Sequence, residues 1–293
     1  MRLLVTGGSG FLGEYVLRAA AEHGHEVTAL ARTRAAAARV RSLGAQPISG
    51  DLNSAGSLVD AFDAGRCEAL VNLASLGFGH APAIIAATVA AQIPRAVFVS
   101  TTAVTTTLAA ASRRVRLAAE QQIRESGLDW TILRPTMIYG APGDRNLCRL
   151  LPLLRRVPVL PVPGGGHLQQ PVHVADVAAA VLAAAEYAGP ETRGSTYDIA
   201  GPQPLTFAEL LRTAAGVVAS RTRFIPVPLP PVVAAARGYE MVSRHPRIHV
   251  EQLRRLAEDK AFAIDAAARD LGYAPRSFAD GIAAEARALG LAA

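Results

Sequence analysis

The chain has 293 residues, of which 51% are hydrophobic, 18% are charged and 5% are aromatic. This length and apolar content predict a compact protein, either one large domain or a core with a smaller lobe, and exclude a disordered chain. The formal net charge is +6, but the arginines are scattered along helix faces and no aromatic residues alternate with them, so we expect no nucleic-acid partner.

Cysteines, histidines and the longest apolar runs limit the class of protein further. Neither Cys67 nor Cys148 has a cysteine or histidine at metal-ligand spacing, so we expect no disulfide framework and no metal. Other histidines that form no ligand pattern in the sequence are His23, His25, His167, His245 and His249. The N-terminal run RLLVT is too short for a signal peptide, and VAAAVLAAA at 177–185 has about half the length of a membrane span. We therefore expect a cytoplasmic protein with no membrane partner.

Apolar runs of strand length alternate with helix-length segments through the first half of the chain. The runs are RLLVT, EVTALA, ALVNLA, RAVFVST and DWTILRP, and the helix candidates span residues 11–23, 33–43, 81–92 and 109–126. Because the runs are continuously apolar rather than alternating, they predict a parallel sheet covered by helices on both faces. This pattern is typical of a doubly wound α/β domain, which we assign to residues 1–140, with elements near 170–200 as candidates to rejoin it.

After residue 140, proline and glycine clusters interrupt this pattern. They separate helix candidates near residues 174–187, 206–217, 231–244 and 278–289. We assign residues 141–293 to a smaller substrate-binding lobe. Three arginines of this lobe are either ligands for a phosphate or carboxylate or ordinary solvated side chains, and they are Arg145, Arg149 and Arg223.

The segment between the first strand and the first helix reads VTGGSGFLG, residues 5–13. In a dinucleotide-binding loop, Gly7 permits the tight turn, Gly10 lets the backbone approach a pyrophosphate, and Gly13 lets the helix pack closely on the strand. The position between a strand and a helix is the one that this motif requires. The other predicted cofactor-binding residues of the loop are Ser9, Phe11 and Leu12.

The end of the second strand indicates which dinucleotide binds. EVTALA ends without the Asp or Glu that would hydrogen-bond a ribose 2′-hydroxyl, and the chain continues into Arg32. An arginine at this point can pair with a 2′-phosphate, which favours NADP over NAD. The alternative is that Arg32 is a solvated residue at the start of the next helix.

Further segments follow in the order found in one known family. They include SGDL at 49–52, VNLAS at 71–75, VFVSTTAV at 97–104 and LRPTMIYG at 133–140, followed by PVHVADVAAAV and LGYAPRSFADGI. With the glycine spacing, they resemble the extended and atypical short-chain dehydrogenase/reductase superfamily, particularly its sugar-nucleotide-epimerase-like and complex I accessory-subunit-like branch. The resemblance covers essentially the whole chain and implies a Rossmann-type fold, NAD(P) as cofactor and homodimerisation through the core helices.

The resemblance also assigns roles to residues in these segments. The residues expected around the adenine and its ribose are Asp51, Leu52, Leu73 and Ala74. Pro135 falls in the segment that borders the nicotinamide in the family. Thr102 lies where the family carries a catalytic serine or threonine, at the end of the fifth strand.

One element of the family pattern is missing. The helix after the fifth strand usually carries Tyr-x-x-x-Lys, with an acidic residue four positions later. Alignment of this helix on Glu120 puts Ser112 at the tyrosine position and Arg116 at the lysine position, and no tyrosine elsewhere has Lys or Arg four residues later. An arginine can still hold ribose hydroxyls and supply positive charge, whereas a serine hydroxyl is far less acidic than a phenol.

Three functional hypotheses follow. In the first, the protein is an oxidoreductase acting on a small carbonyl or hydroxyl compound, where Thr102 binds the substrate carbonyl, Arg116 stabilises charge on oxygen, and Ser112 or water supplies the proton. In the second, it binds NADP(H) without turnover as a regulatory or accessory protein. In the third, it catalyses a non-redox isomerisation or dehydration. Other residues considered as acids, with packing as the alternative role, are His80, Tyr139 and His173.

Overall fold

A computed structural model describes residues 1–108, 111–140, 143–144, 147–187, 189–243 and 250–291. The strands are β1 (Arg2–Thr6), β2 (Glu26–Ala31), β3 (Gln46–Ser49), β4 (Ala69–Asn72), β5 (Arg95–Val99), β6 (Asp129–Pro135), β7 (Ile138–Tyr139), β8 (Val159–Pro163), β9 (Leu168–Gln169), β10 (Val172–His173), β11 (Ser195–Ile199), β12 (Leu205–Thr206) and β13 (Arg223–Val227). The helices are α1 (Phe11–Glu22), α2 (Arg34–Ser42), α3 (Ala55–Gly65), α4 (Ala81–Ala90), α5 (Ala111–Glu125), α6 (Leu147–Leu154), α7 (Val174–Glu186), α8 (Phe207–Val217), α9 (Leu229–Val242), α10 (Val250–Leu256), α11 (Asp265–Leu271) and α12 (Phe278–Ala288). Short 3₁₀ turns span Leu76–Phe78 and Thr102–Thr105. No helix in these ranges combines the length and apolar content needed to cross a membrane.

The first of two compact units contains the large sheet. This unit comprises Met1–Thr136, Val174–Ile199 and Ala263–Ala274. Within the described residues, seven parallel strands pair in the order β11-β6-β5-β4-β1-β2-β3. Strands β4 and β5 are buried along their whole length, as expected for parallel strands with continuous apolar runs. The predicted doubly wound α/β fold is therefore confirmed.

The strand order reverses at β1. The chain runs from β1 to β2 and β3 on one side, and then crosses to β4 and β5 on the other side. Thr6 at the end of β1 lies opposite Asn72 at the end of β4. In open parallel sheets, such a reversal leaves a crevice between the loops that follow the two strands, and ligands bind there. The fold thus brings the glycine loop after β1 beside the loop after β4.

The second unit has its own core. It comprises the described parts of Met137–His173, Ala200–Phe262 and Pro275–Ala293. The core formed by α6, α8 and α12 includes Tyr139, Leu151, Leu210 and Ile282. Glu285 on α12 is buried, and this burial, together with the charge of Asp144, raises the pKa of Glu285 to about 8. This carboxyl is therefore mostly protonated at neutral pH.

The structure brings together two histidines that form no ligand pattern in the sequence. His23 and His25 lie in the turn between α1 and β2, and both rings hydrogen-bond the carboxylate of Glu186 at the end of α7. The ligand atoms of these three side chains lie within 4.8 Å of one another. Sequence spacing could not reveal the group, since Glu186 is 161 residues away from His25. His245 and His249 lie outside the described residues.

Arg95 is a buried cation that joins β5 to β6 and α7. The residue is 4% exposed. Its guanidinium donates to Asp129 Oδ1 at 2.5 Å, to Thr131 Oγ1 at 2.6 Å and to the carbonyl oxygen of Ala184 at 2.8 Å. A buried network with its donors and acceptors satisfied stabilises one arrangement of the elements it joins. Arg95 therefore holds α7 in place on the sheet.

We expect Arg95→Met to lower the free energy of unfolding by about 3 kcal/mol, because removal of one partner leaves the others of a buried polar network without their donor. Denaturant unfolding measures this loss. Arg193→Ala is the matched control, since Arg193 pairs with the same Asp129 at 3.0 Å but its side chain is 61% exposed. Its loss should stay below about 1 kcal/mol, and equal losses in the two variants would contradict the importance of burial.

Candidate functional site

The glycine loop is packed backbone against backbone with the loop after β4. Gly7 has a φ of +73°, and a Cβ on it would lie 2.9 Å from both the amide nitrogen of Ala74 and the carbonyl carbon of Leu73. A Cβ on Gly13 would lie 2.5 Å from the carbonyl oxygen of Gly7. The Gly10 amide closes the turn by donating to that same oxygen at 3.0 Å. Side chains at these positions would therefore fill or distort the loop.

The N-terminus of α1 opens from this loop. Gly10 is the N-cap residue, and no side chain caps the helix. The first amides of a helix have no acceptor within the helix and carry partial positive charge, which suits a phosphate group. The acidic residue of this first turn, Glu14, is paired with Arg18 at 2.9 Å and Arg39 at 2.8 Å, which offsets its charge. The narrow, glycine-rich loop and these amides fit the pyrophosphate of a dinucleotide.

Asn72 holds the start of the glycine loop next to the loop after β4, and the sequence did not predict this role. It is fully buried, its Oδ1 accepts from Thr6 Oγ1 at 2.6 Å, and its Nδ2 donates to the carbonyl oxygen of Ala74 at 3.1 Å. The Leu73 amide donates to the carbonyl oxygen of Thr6 at 3.1 Å. These bonds tie the ends of β1 and β4 together. The signal in the sequence is a polar residue at the end of the apolar strand ALVN.

A cavity of about 300 Å³ lies beside the loop, at the ends of β1, β2 and β3. It brings together five residues predicted to bind the cofactor, namely Gly7, Ser9, Arg32, Asp51 and Leu52. Thr33, Asn53 and His80 also line it, and of these only His80 was considered from the sequence. The cavity thus joins Arg32, the predicted 2′-phosphate residue, to Asp51 and Leu52, whereas Leu73 and Ala74, also predicted around the adenine, are not among its lining residues.

Two residues of this cavity are held by local hydrogen bonds. Thr33 caps α2 by accepting from the Ala36 amide at 3.1 Å, which fixes the backbone next to Arg32. The Asn53 amide donates to Asp51 Oδ1 at 3.0 Å, and this bond is the main reason why the pKa of Asp51 is lowered. The nearby charge of Arg32 contributes in the same direction. Asp51 is therefore an anion that faces the arginine across the cavity.

Thr102 follows β5 at the carboxyl edge of the sheet. It is 7% exposed, and its hydroxyl donates to the carbonyl oxygen of Pro135 at 3.4 Å. The 3₁₀ turn that begins at Thr102 is held from α5, where Arg113 Nε donates to the carbonyl oxygen of Val104 at 3.0 Å. The sequence did not indicate this role of Arg113. The long bond to Pro135 leaves the Thr102 hydroxyl weakly held, so it can turn to another acceptor.

Arg116 lies against the loop that follows β4. A Cβ on Gly77 would lie 3.1 Å from both Cζ and Nη2 of the arginine, so Gly77 provides the space for this guanidinium. Ser112 is half-buried one turn earlier on α5. The i, i+4 spacing places both side chains on the same face of the helix.

Glu120 anchors α5 on the sheet. It is fully buried and accepts from Ser100 Oγ at 2.7 Å, Arg134 Nε at 3.0 Å and Arg124 Nη2 at 2.9 Å. Burial raises the pKa of Glu120, but the hydrogen bonds from Arg134 and Ser100 outweigh burial, and the pKa is lowered overall. Glu120 is thus an ionised anchor between α5, β5 and β6. It fixes the rotation of the helix that carries Ser112 and Arg116.

The other residues considered from the sequence lie in the second unit. Tyr139 is 1% exposed and packs edge-to-face on His173, with ring centroids 5.4 Å apart, and Phe278 lies 5.3 Å away. Both Tyr139 and His173 belong to the packed interior of this unit. Arg149 and Arg223 are exposed, and Arg145 lies outside the described residues.

Comparisons with known proteins show a family match, relatives named as reductases and a similar fold. A family model described as NAD(P)H-binding matches residues 7–187. A relative from Stigmatella aurantiaca, named 4-hydroxy-2-methyl-3-oxo-4-farnesyl-3,4-dihydroquinoline-1-oxide ketoreductase, is 32% identical over 94% of this chain and 92% of its own. The ceramide reductase of Caulobacter vibrioides is 31% identical over 79% of this chain and 75% of its own. The solved structure of UDP-glucose 4-epimerase from Thermotoga maritima is similar to this chain with a TM-score of 0.76 at 16% identity, and 99% of each chain is covered. At this identity the similarity is one of fold.

We expect Gly13→Ala to lower the free energy of unfolding by about 1–3 kcal/mol, because the added Cβ would meet the loop backbone at 2.5 Å. Gly56→Ala on α3 is the matched control, since nothing lies within 4 Å of its added Cβ. This control should be neutral or stabilising by up to about 1 kcal/mol. Denaturant unfolding of both variants measures the difference, and equal stabilities would show that the loop has room for a side chain.

Proposed function

Because the chain belongs to the NAD(P)H-binding family, we propose that it is an NADP(H)-dependent reductase of a small carbonyl compound. The observation that carries the proposal is that the glycine loop, Arg32 and Asp51 line the same cavity. The two relatives described above are named as reductases, one of them a ketoreductase, and this supports reduction over epimerisation. The chain covers most of both relatives, so the comparison extends beyond the nucleotide-binding part.

In this proposal the chain holds the dinucleotide by backbone and side chain together. The amides at the start of α1 would bind the pyrophosphate, and Gly7 and Gly13 would leave room for it. Arg32 donates to the 2′-phosphate, and the Thr33 cap keeps the backbone beside it in place. Leu52 and Ala74 cover the adenosine from the two neighbouring loops. No carboxylate ends β2 to repel a 2′-phosphate, which supports NADP(H) over NAD(H).

NADPH, when bound, supplies the hydride. Thr102 orients the substrate carbonyl by moving its hydrogen bond from the Pro135 carbonyl to the substrate oxygen. Arg116 stabilises the negative charge that develops on this oxygen, and Gly77 leaves space for the guanidinium. Ser112, one turn away on the same helix face, passes a proton from water to the oxygen. In this proposal, Thr102, Arg116 and Ser112 share the roles that a tyrosine and a lysine usually have in the family that the sequence resembles.

We expect Arg32→Ala to weaken NADPH binding by about 10- to 100-fold and to leave NADH binding nearly unchanged, since only NADPH has the 2′-phosphate. Titration of nicotinamide fluorescence measures both affinities. Arg34→Ala is the matched control, because Arg34 is an exposed arginine on α2 that does not line the cavity. Equal losses for NADPH and NADH, or an equal effect of the control, would remove Arg32 from 2′-phosphate recognition.

The catalytic part of the proposal predicts that the protein oxidises NADPH in the presence of a member of an aldehyde and ketone panel. Thr102→Ala and Arg116→Ala should each lower kcat by about 10²-fold while changing the Kd for NADPH much less. Arg114→Ala, which removes an exposed arginine from the same helix, should leave both constants unchanged.

Two outcomes would contradict the catalytic proposal. Tight NADPH binding without consumption by a broad panel would favour a nucleotide-binding regulatory or accessory protein, which the absent tyrosine already makes the second candidate. Full turnover in both Thr102→Ala and Arg116→Ala would show that other residues carry the reaction.

A further inference from the structure

A group of metal-ligating side chains lies in the first unit, among residues that the proposed reaction does not use. His23 Nδ1 donates to Glu186 Oε1 at 3.0 Å, and His25 Nε2 donates to the same oxygen at 2.6 Å. The ligand atoms of the three side chains all lie within 4.8 Å of one another. Two imidazoles and a carboxylate therefore converge on one point.

The positions of these three residues are fixed by the secondary structure around them. His23 is the C-cap residue of α1, and His25 directly precedes β2, so the turn that holds both is short and bounded by regular structure. Glu186 is the last residue of α7, which packs against α1. The side chains of His25 and Glu186 are 8% and 35% exposed, whereas that of His23 is 53% exposed. The group is thus partly preformed and reachable from solvent.

The donor set matches one class of ion. Two neutral imidazoles with one carboxylate suit borderline divalent transition metals such as Zn²⁺, whereas Mg²⁺ and Ca²⁺ prefer oxygen ligands. Tetrahedral Zn²⁺, with bonds of about 2.0–2.2 Å, separates its ligand atoms by roughly 3.3 Å. To reach this spacing, each hydrogen-bonded nitrogen has to move away from the Glu186 oxygen by less than about 1 Å. Small rotations of the exposed His23 ring and the half-exposed Glu186 carboxylate supply such a change, while the buried His25 ring stays in place.

We propose that His23, His25 and Glu186 form a binding site for a divalent transition-metal ion of the Zn²⁺ class. The metal binds the ring nitrogens that now donate to Glu186, and each neutral imidazole then carries its proton on its other ring nitrogen. Three protein ligands leave a fourth position for water or a small anion. By joining the turn after α1 to the end of α7, the ion stabilises the contact between these two helices.

The test is calorimetric titration of the untagged protein with ZnCl₂, since an affinity tag of histidines would bind the metal itself. We expect one ion per chain. We also expect that His23→Ala and Glu186→Gln each weaken binding at least tenfold, because loss of a ligand should cost no less than the roughly 10- to 100-fold caused by loss of a supporting residue. Zn²⁺ should raise the unfolding temperature of the wild type more than that of either variant.

His167→Ala is the matched control. His167 is also paired with a carboxylate, since its Nδ1 lies 3.2 Å from Asp259 Oδ1. Among the described residues, no second histidine joins this pair to form a group of three ligands. This variant should bind Zn²⁺ like the wild type. The proposal is overturned if the wild type does not bind Zn²⁺, or if His23→Ala and Glu186→Gln bind it as tightly as the wild type. Thermal unfolding without metal shows whether each variant is folded, so a folding defect is not mistaken for loss of a ligand.

Discussion

The close approach of two backbone segments at the reversal of strand order determines most of the site. Gly7 lies so close to Leu73 and Ala74 that a single Cβ would meet their backbone at 2.9 Å. The approach is held by Asn72, whose amide group bonds both the end of β1 and the loop after β4. It sets where α1 begins and, with it, where the free amides point. Gly7 also lines the cavity at the ends of β1, β2 and β3, so the approach fixes one side of that cavity.

A second constraint acts on α5, through a buried charge instead of close packing. Glu120 makes ionic and neutral hydrogen bonds to residues of β5, β6 and its own helix. A buried carboxylate with several donors tolerates little rotation, since each lost donor leaves an unpaired charge. Glu120 therefore fixes the rotation of the helix, while the i, i+4 spacing puts Ser112 and Arg116 on the same helix face.

The sequence predicts the parts of the fold that depend on local patterns. The strands β1, β2, β4, β5 and β6 and the helices α1, α2, α4, α5, α7 and α8 appear within about two residues of their expected ends, because continuous apolar runs and capping signals are local. The resemblance to the short-chain dehydrogenase/reductase superfamily and the doubly wound fold are confirmed. Strand β3 and helix α3 were missed, because QPIS is short and half-exposed and the helix contains two glycines.

What the sequence could not predict depends on contacts between distant residues. β11 alternates between buried and half-buried residues, and its place beside β6 depends on pairing across more than sixty residues. The bond between Thr6 and Asn72, and the meeting of His23, His25 and Glu186, join segments that no short motif links. The glycine motif and the family resemblance predicted the residues around the cavity, because both identify residues expected to touch a ligand. They do not name the residues that hold those in place.

In the proposed reaction, serine and arginine take the place of the tyrosine and lysine expected from the resemblance, and this changes the order in which the charge on the oxygen is stabilised and the proton is transferred. A guanidinium keeps its proton over the whole range in which proteins are stable, so it stabilises a negative oxygen without acting as an acid. A serine hydroxyl beside it remains a weak acid, because an aliphatic alcohol loses its proton much less readily than a phenol does. In the proposed reaction, charge stabilisation by Arg116 and Thr102 therefore has to precede protonation, and water delivers the proton through Ser112 once the oxygen is basic. A site of this kind would suit carbonyls whose reduced oxygen is well stabilised by fixed charge, and it would depend more on the geometry around Gly77 than on the acidity of any one side chain.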